Sequence, residues 1–328
     1  MFSTKIIVWA FTGLFFLFYG LGVYWSSEPA SINIHAEVTQ AAKAENVAPV
    51  VGYSTTTALI KVSEALLHKP GGYLSNDIMP PSLFLDNMPA WEFGVLEMVR
   101  DMALVMRKDF SRSQSQSLEN KHLQEAQPRF NIDSKNWAMP SAESEYGEAI
   151  KHLYAYRSAL VSTNGSNKAQ FYARADNLRA YIEEVQKRLG SYSQRLSLSV
   201  GRDEIDTDLA GDSRAEQSSQ GIAHTQLQTD WLKIDDVFYE ARGATWALLQ
   251  LLRAVEIDFN SVLEGKNAKI SLQQIIRELE ASQEALWSPM VLNGSGFGLV
   301  ANHSLVMANY ISRANAALID LNELLTKG

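Results

Sequence analysis

The longest uninterrupted apolar stretch in the chain lies near its N-terminus. Twenty consecutive residues, 6–25, carry no charge. At a helical rise of about 1.5 Å per residue they span roughly 30 Å, the thickness of the hydrocarbon core of a bilayer. Trp9 stands near one end of this stretch and Tyr24 and Trp25 at the other, where aromatic rings favour the membrane–water interface. The pattern predicts one transmembrane helix, in contact with membrane lipid through residues 6–25.

Basic residues indicate the orientation of this helix. Lys5 and the terminal amine precede it, whereas the first basic residue after it is Lys43. The positive-inside rule therefore places residues 1–5 in the cytoplasm and the rest of the chain on the far side of the membrane. A cleaved signal peptide is the alternative, but its apolar region would be shorter, and residues 26–30 lack a clean small-x-small cleavage site. We predict an uncleaved anchor.

Beyond the anchor, the spacing of apolar residues predicts helices. Residues 26–50 contain few large apolar side chains, and we interpret them as a polar tether that holds the folded part off the membrane. Further along, segment 168–199 has apolar residues at alternating steps of four and three, which is typical of a coiled-coil seam. The same repeat covers ten positions in segment 230–263, from Trp231 to Val262, and predicts a helix about 50 Å long.

The fold class follows from these periods. No alternation of apolar and polar residues is long enough for a sheet. We therefore predict an all-α protein, in which the transmembrane helix is followed by an elongated antiparallel helical bundle with coiled-coil-like long helices. Residues 51–328 form the extracytoplasmic domain, either as one bundle or as two sub-bundles. Residues 201–228 are acidic and then rich in Ser, Gln and Gly, and we interpret them as a mobile loop.

Composition excludes several classes of partner and chemistry. The chain has 29 basic and 37 acidic residues, a formal charge of −8, which does not favour binding to phosphate backbones. We therefore predict no nucleic-acid partner. It contains no cysteine, which excludes disulfides, thiolate nucleophiles and cysteine-ligated zinc and suits an oxidising compartment.

Two helical spacings resemble half of a carboxylate–histidine metal site. Glu119 and His122 are three residues apart, and Glu148 and His152 are four apart. A di-iron bundle needs two Glu-x-x-His pairs and two further carboxylates, and the chain has one such pair. Exposed polar residues explain both spacings better. The sequence therefore predicts no metal site and no cofactor.

Two loops resemble ligand-binding motifs without matching them. Residues 206–217 begin like a calcium loop, but Ala210 and Gln217 stand where oxygen ligands are needed. Residues 294–298 are rich in glycine, but no strand precedes them and the third glycine is misplaced for a dinucleotide site. The common hydrolase and nucleotide motifs are also absent from the sequence. We therefore assign no catalytic residue.

One stretch of the long helix concentrates charges beside predicted core positions. Phe238 and Ala241 belong to the apolar repeat, so Asp236, Glu240 and Arg242 should flank it. There they could pair with a neighbouring helix or line a groove. Structural ion pairs are the simpler interpretation. If the chain has a polar or interaction site, these three residues are the candidates.

Three stretches resemble a known family. They are residues 51–57 (VGYSTTT), 86–93 (DNMPAWEF) and 235–243 (DDVFYEARG). They are similar to a family of bacterial membrane-anchored proteins of unknown function, and the resemblance extends over essentially the whole chain. It implies an inner-membrane protein of Gram-negative bacteria. The orientation that the basic residues predict would then place the large domain in the periplasm. The resemblance implies no activity, ligand or catalytic residue.

The anchor, the long apolar seams and the missing catalytic set favour a non-enzymatic function. We expect a helical scaffold or adaptor of the cell envelope, held at the inner membrane, that binds a protein partner in the envelope or a second copy of the chain. A ligand-binding or sensory bundle is the first alternative, and it would have to act through a partner because residues 1–5 cannot form an output domain. An envelope hydrolase is the second alternative.

Overall fold

Helices account for nearly all the regular structure, so the all-α class and the helical bundle are confirmed. The computed structural model describes residues 4–113, 119–163, 168–205, 224–288 and 290–327. Its helices, in chain order, are α1 (Thr4–Trp25), α2 (Ile34–Glu45), α3 (Tyr53–His68), α4 (Asn87–Val105), α5 (Lys121–Phe130), α6 (Ala142–Leu160), α7 (Ala175–Ser197), α8 (Ile234–Asp258), α9 (Asn260–Gly265), α10 (Lys269–Ser282) and α11 (His303–Lys327).

Helix α1 stands outside the body that the other helices form. Among its residues only Gly22 is buried, and a Cβ atom at Gly22 would lie 3.7 Å from the side chain of Leu85. Within the described part of the chain, α1 is the one helix long and apolar enough to cross a membrane, with a mean hydropathy of 2.1. Its length and composition suit a membrane span, and a signal sequence meets the same criteria.

Part of the segment interpreted as a tether is instead a packed helix. Helix α2 begins after Asn33, whose side chain accepts a hydrogen bond from the backbone N–H of Ala36 and so caps the helix. Ile34, Val38 and Ala42 are buried where α2 contacts α3 and α8. The tether interpretation is therefore wrong for these residues, because three modest apolar side chains four residues apart suffice to attach a short helix to the core.

Helix α8 is the centre of the body and contacts α2, α3, α4, α7, α10 and α11. Its closest crossing is with α4, at two glycines. A Cβ atom at Gly94 would lie 1.9 Å from the carbonyl oxygen of Glu240, and one at Gly243 would lie 2.0 Å from that of Trp91. The two backbones therefore touch at a distance that only glycine permits.

The long helix predicted over 230–263 is divided in the structure. A 3-10 turn, Trp231–Lys233, precedes α8, and the chain bends at Phe259 before α9. Trp231, the first predicted core position, is 81% exposed. The regular apolar spacing therefore continues beyond the start of α8 but does not predict burial at Trp231, because spacing alone does not show which residues other helices cover. The coiled-coil seams remain a prediction.

A short hairpin lies between α7 and α8. Strand β1 (Arg202–Ile205) pairs antiparallel with β2 (His224–Leu227). Most of the predicted mobile loop, residues 206–223, lies outside the described residues. The hairpin was not predicted, since four residues are too few for a clear alternation. The buried apolar side chains from α2 to α11 form one continuous cluster.

Candidate functional site

The three candidate residues share one stretch of α8 but face different neighbours. Glu240 pairs with Arg195 of α7, whereas Arg242 pairs with Glu28, just beyond α1. Asp236 lies one turn before Glu240. The structure therefore distributes these residues between two contacts and does not gather them in one pocket.

Arg242 joins the exit of α1 to the body. Its Nε donates hydrogen bonds to Oε1 and Oε2 of Glu28, at 2.7 and 2.8 Å. Its Nη1 donates to the carbonyl oxygens of Ser282 and Glu284, and its Nη2 to that of Gln283, at 3.1–3.3 Å. The side chain is 7% exposed. A buried guanidinium thus has a carboxylate partner and also covers the carbonyls at the negative end of α10.

Glu240 forms a two-pronged ion pair across helices. Nη1 of Arg195 donates to its Oε1 at 2.6 Å, and Nη2 donates to its Oε2. One heptad earlier on α7, Arg188 donates to Glu97 and Asp101 of α4, each at 2.7 Å. The two arginines therefore lie beside the buried apolar face of α7 and attach this helix to α8 and α4 through ion pairs.

Asp236 has an unusual environment for a carboxyl group. Its Oδ1 is buried and has no hydrogen-bond partner among the described residues. Burial raises the pKa of Asp236, and the nearby carboxylates of Asp86, Asp235 and Glu240 raise it further, while Lys233 opposes them. The arrangement disfavours the charged form. Asp86 immediately precedes α4. Its proximity to Asp236 therefore indicates that the start of α8 lies beside the start of α4.

A small cavity lies next to Arg242. Its volume is about 320 Å³, at the lower limit for a small-molecule site. Side chains from the start of α8, the end of α10 and the start of α11 line it, including Phe238, Trp287, His303 and Tyr310. Its lining combines aromatic surface with Arg242, which already binds Glu28, and with Glu284, so an apolar ligand with a polar end would suit it best.

The predicted His–Glu spacings do not assemble a metal site. Glu119 pairs with Arg107 at 2.7 Å, and that hydrogen bond lowers the pKa of Glu119. The rings of His122 and His152 do approach each other, with centroids 6.3 Å apart. No group of three or more His, Cys, Asp or Glu side chains suited to a metal occurs in the described ranges. The calcium-like stretch, residues 206–217, lies outside them.

Comparison with known proteins identifies the family to which the sequence belongs. The sequence matches, over residues 2–328, a family described as "Uncharacterized protein conserved in bacteria (DUF2333)". The chain belongs to this family. The match covers the chain from end to end and confirms the resemblance found in the sequence. No curated protein and no solved structure matches this DUF2333 member.

The DUF2333 member also buries an ion pair that its sequence did not reveal. Nζ of Lys69 lies 2.6 Å from Oε1 of Glu92, and both side chains are fully buried. Glu92 also accepts hydrogen bonds from the backbone N–H groups of Leu74 and Ser75, each at 2.8 Å. The pair therefore fixes the turn after α3 against α4. Lys69 lies in a Pro–Gly turn and Glu92 beside Trp91, and neither position shows a pattern that predicts burial.

A second buried carboxylate caps a helix of this DUF2333 member. Oδ2 of Asp258, at the end of α8, accepts hydrogen bonds from the backbone N–H and the hydroxyl of Thr55, both at 2.7 Å. These hydrogen bonds and the partial positive charge at the start of α3 favour the carboxylate, but burial outweighs them and raises the pKa of Asp258. Asp258 is 203 residues from Thr55 in sequence, so only the tertiary fold brings them together. The stretch VGYSTTT, which carries the resemblance, thus forms the capped start of α3.

Proposed function

We propose that this protein is a single-pass inner-membrane protein, with its N-terminus in the cytoplasm and its helical body in the periplasm, and that the body is a non-enzymatic scaffold or adaptor of the cell envelope. The observation that carries the proposal is the combination of an exposed apolar helix, α1, with an ion pair that attaches the residues after it to the body. Glu28 follows α1 and is bound by the buried Arg242, so the anchor and the body meet at a defined contact.

The exposure of α1 supports a lipid environment. Trp9, Phe11 and Phe16 are 65–73% exposed, and such a continuous apolar surface is unfavourable in water. The buried polar groups described above support a structural role for the body. Arg242, Glu240 and Asp258 each bind another helix or its end, so their hydrogen-bonding capacity serves the packing of the bundle.

The topology can be tested by labelling single cysteines. The chain has no native cysteine, so Thr4→Cys and Lys187→Cys each introduce one reactive thiol. In cells with a permeabilised outer membrane, an impermeant maleimide should label position 187, on the exposed face of α7, and should label position 4 only after the inner membrane is opened. The reverse pattern would contradict the orientation. Release of a shortened, soluble form of the protein would contradict the anchor.

The adaptor role can be tested by photo-crosslinking in intact cells. A photoreactive residue at Lys187 or Ile319, on the outer faces of α7 and α11, should give a crosslinked product of higher mass that contains a second protein or a second copy of the chain. The same residue at Leu189, which is fully buried, is the matched control and should give none. If every exposed position also gave none, the adaptor proposal would fail.

A ligand-binding or sensory bundle is the second candidate, because of the cavity beside Arg242. Binding to the folded state raises its apparent stability. A screen of small amphiphilic acids for thermal stabilisation of the full chain in detergent therefore tests it. Stabilisation that disappears in Arg242→Lys but persists in the matched variant Arg313→Lys would favour this candidate.

A further inference from the structure

The tryptophans of the body divide into a buried and an exposed set. Trp91 and Trp246 pack against each other in the core, with ring centroids 5.2 Å apart. Trp137, Trp231 and Trp287 are 63%, 81% and 97% exposed. Exposed tryptophan is costly in water, and at a membrane–water interface it is favourable. The position of the exposed set relative to α1 is therefore informative.

The first exposed apolar loop lies at the exit of α1. Leu85 contacts Gly22, and Trp25 lines a cleft together with Met79 and Trp137. Residues 78–84 carry no charge. Their large apolar side chains are 57–75% exposed: Ile78, Met79, Leu83 and Phe84. This loop and the neighbouring loop that carries Trp137 and Met139 therefore adjoin the last turn of α1.

The loop between α10 and α11 begins at the same place. Arg242 binds Glu28 and the carbonyl oxygens at the end of α10, and Trp287 lines the cavity beside it. Residues 285–302 carry no charge. Trp287, Phe297 and Leu299 are each at least 97% exposed. The start of this long uncharged loop, at Trp287, therefore lies close to the segment that follows α1.

The start of α8 completes the arrangement. Trp231 and Leu232 are 81% and 77% exposed and lie in the 3-10 turn before α8. In the first turn of α8, Asp236 lies near Asp86. Asp86 follows Leu85 in the sequence, and Leu85 lies at the end of α1. We call the exposed apolar side chains of residues 78–84, 137–139, 231–232, 287–288 and 290–300 the apolar rim. They belong to four separate parts of the sequence, and the fold brings all four to the side of the body where α1 ends, at Trp25.

The opposite end of the body has a different surface. Helix α8 is 25 residues long, about 37 Å at 1.5 Å per residue, and its far end is fixed by Asp258 at the start of α3. The exposed large apolar residues near that end are aliphatic: Val50, Val51 and Ile270. Among the described residues outside α1, every exposed aromatic side chain belongs to the apolar rim.

We propose that the apolar rim inserts into the interfacial layer of the same bilayer that α1 spans, so that the body rests directly on the membrane. The inference relies on the proposed role of α1 as a membrane anchor. A helix that spans the bilayer must place its last turn, and the side chains around that turn, at the membrane surface. Apolar side chains with interleaved tryptophan, in uncharged loops, are typical of segments that enter the outermost layer of a bilayer.

The charges around the rim indicate which lipid chemistry it recognises. The residues that flank the rim include the acidic Asp77, Asp86 and Asp235, with Lys233 among them. Such a surface gains little from anionic headgroups. Insertion should therefore depend on apolar burial, occur on zwitterionic lipid, and be insensitive to salt.

Depth-dependent quenching tests the proposal on the full chain. Phe84→Cys and Phe297→Cys place single thiols on two loops of the rim, and each is coupled to a small fluorophore. Ile270→Cys is the matched control, since Ile270 is apolar and 80% exposed at the far end of α10. Phe16→Cys reports α1 itself. Each protein is reconstituted into phosphatidylcholine vesicles with ordinary or brominated acyl chains.

We expect brominated lipid to reduce fluorescence at positions 84 and 297 at least about two-fold, because an inserted apolar surface enters the boundary between headgroups and acyl chains, where its label meets brominated chains. Position 270 should be unaffected, and about 1 M NaCl should not change the result. Quenching at position 16 without quenching at 84 and 297 would overturn the rim proposal and leave the anchor intact. No quenching at position 16 would overturn the anchor itself. Labels on the rim that are protected from the aqueous phase in native membranes but exposed to it in pure lipid vesicles would show that another protein covers the rim. This result would also overturn lipid insertion.

Discussion

Lys69 and Glu92 illustrate how single residues hold this protein together. Both side chains are fully buried, and the carboxylate of Glu92 also accepts two backbone hydrogen bonds and one from the hydroxyl of Ser75. Burying two charges is costly, and their attraction offsets that cost only while every partner is present. Removal of one partner should therefore have a larger effect than removal of an ion pair on the surface.

We expect Lys69→Met to lower the free energy of unfolding by about 3–5 kcal/mol, because it leaves the Glu92 carboxylate buried without its cation. The measurement is urea unfolding followed by circular dichroism. Lys151→Met is the matched control. Lys151 pairs with Glu148 on the outer face of α6, where its side chain is 72% exposed, so the loss there should stay within roughly 1 kcal/mol. Equal losses in the two variants would contradict this account.

Asp236 leads to a prediction about pH. Its pKa is raised in the folded protein, chiefly by burial and then by Asp86. Folding therefore disfavours the charged carboxylate. This penalty is absent below the ordinary pKa of aspartate, grows as pH rises from that value to the raised pKa, and is complete above the raised pKa. Asp236→Asn should increase the melting temperature at pH 7 and have little effect near pH 3.5, below that ordinary pKa of about 3.9.

Thermal unfolding of the Asp236 variant at several pH values checks this prediction. Asp230→Asn is the control, because Asp230 is exposed two residues before Leu232 and its substitution should change the melting temperature little at any pH. A gain at position 236 that did not depend on pH would show that its charge is not the cause.

At the scale of elements, the crossing of α4 and α8 is the tightest contact in the body. Gly94→Ala or Gly243→Ala should lower the free energy of unfolding by about 1–3 kcal/mol or more, because the added methyl group overlaps a backbone carbonyl that cannot move alone. Gly147→Ala in α6 is the matched control. A Cβ atom there meets nothing within 4 Å, so alanine should stabilise that helix by about 0.5–1 kcal/mol. Destabilisation by all three substitutions would contradict the role of the crossing.

In the whole molecule, helix α2 attaches the segment after α1 to the body. The attachment consists of its buried face and the ion pair between Glu45 and Arg157, at 2.5 Å. Residues 28–31 also contact α8, through Glu28 with Arg242 and through Ser31 with Arg253. The body is therefore attached close to the end of α1. The proposed contact between the apolar rim and the membrane requires such an attachment.

A truncation distinguishes this arrangement from a flexible tether. A chain that begins at residue 51 should be less stable than one that begins at residue 26 by roughly 4 kcal/mol or more, since burial of an Ile or Val side chain contributes about 1.5–3 kcal/mol. Urea unfolding of the two chains gives the difference. Equal stability would show that α2 contributes nothing to the core and that residues 26–50 are only a spacer.

Some features could be predicted from the sequence because they depend on neighbouring residues alone. The apolar helix α1 follows from twenty uncharged residues, and the helical class follows from steps of three and four. The face of α7 that includes Leu178, Ile182, Val185 and Leu189 is buried, as its spacing predicted. The helix ends were less accurate: α7 begins at Ala175, seven residues after the start of segment 168–199. A periodic pattern cannot show where a buried loop ends and the helix begins.

The sequence by itself thus determined the apolar N-terminal helix, the helical class and the charged stretch on α8, because periodicity and hydropathy are local properties of the chain. Only the tertiary structure decided what those charges bind. Glu28 lies 214 residues from Arg242, and Arg195 lies 45 residues from Glu240, and no local pattern encodes such a pairing. The apolar rim likewise comes from four distant loops. Their shared position is set by how the helices pack, since each loop alone reads as an ordinary connection.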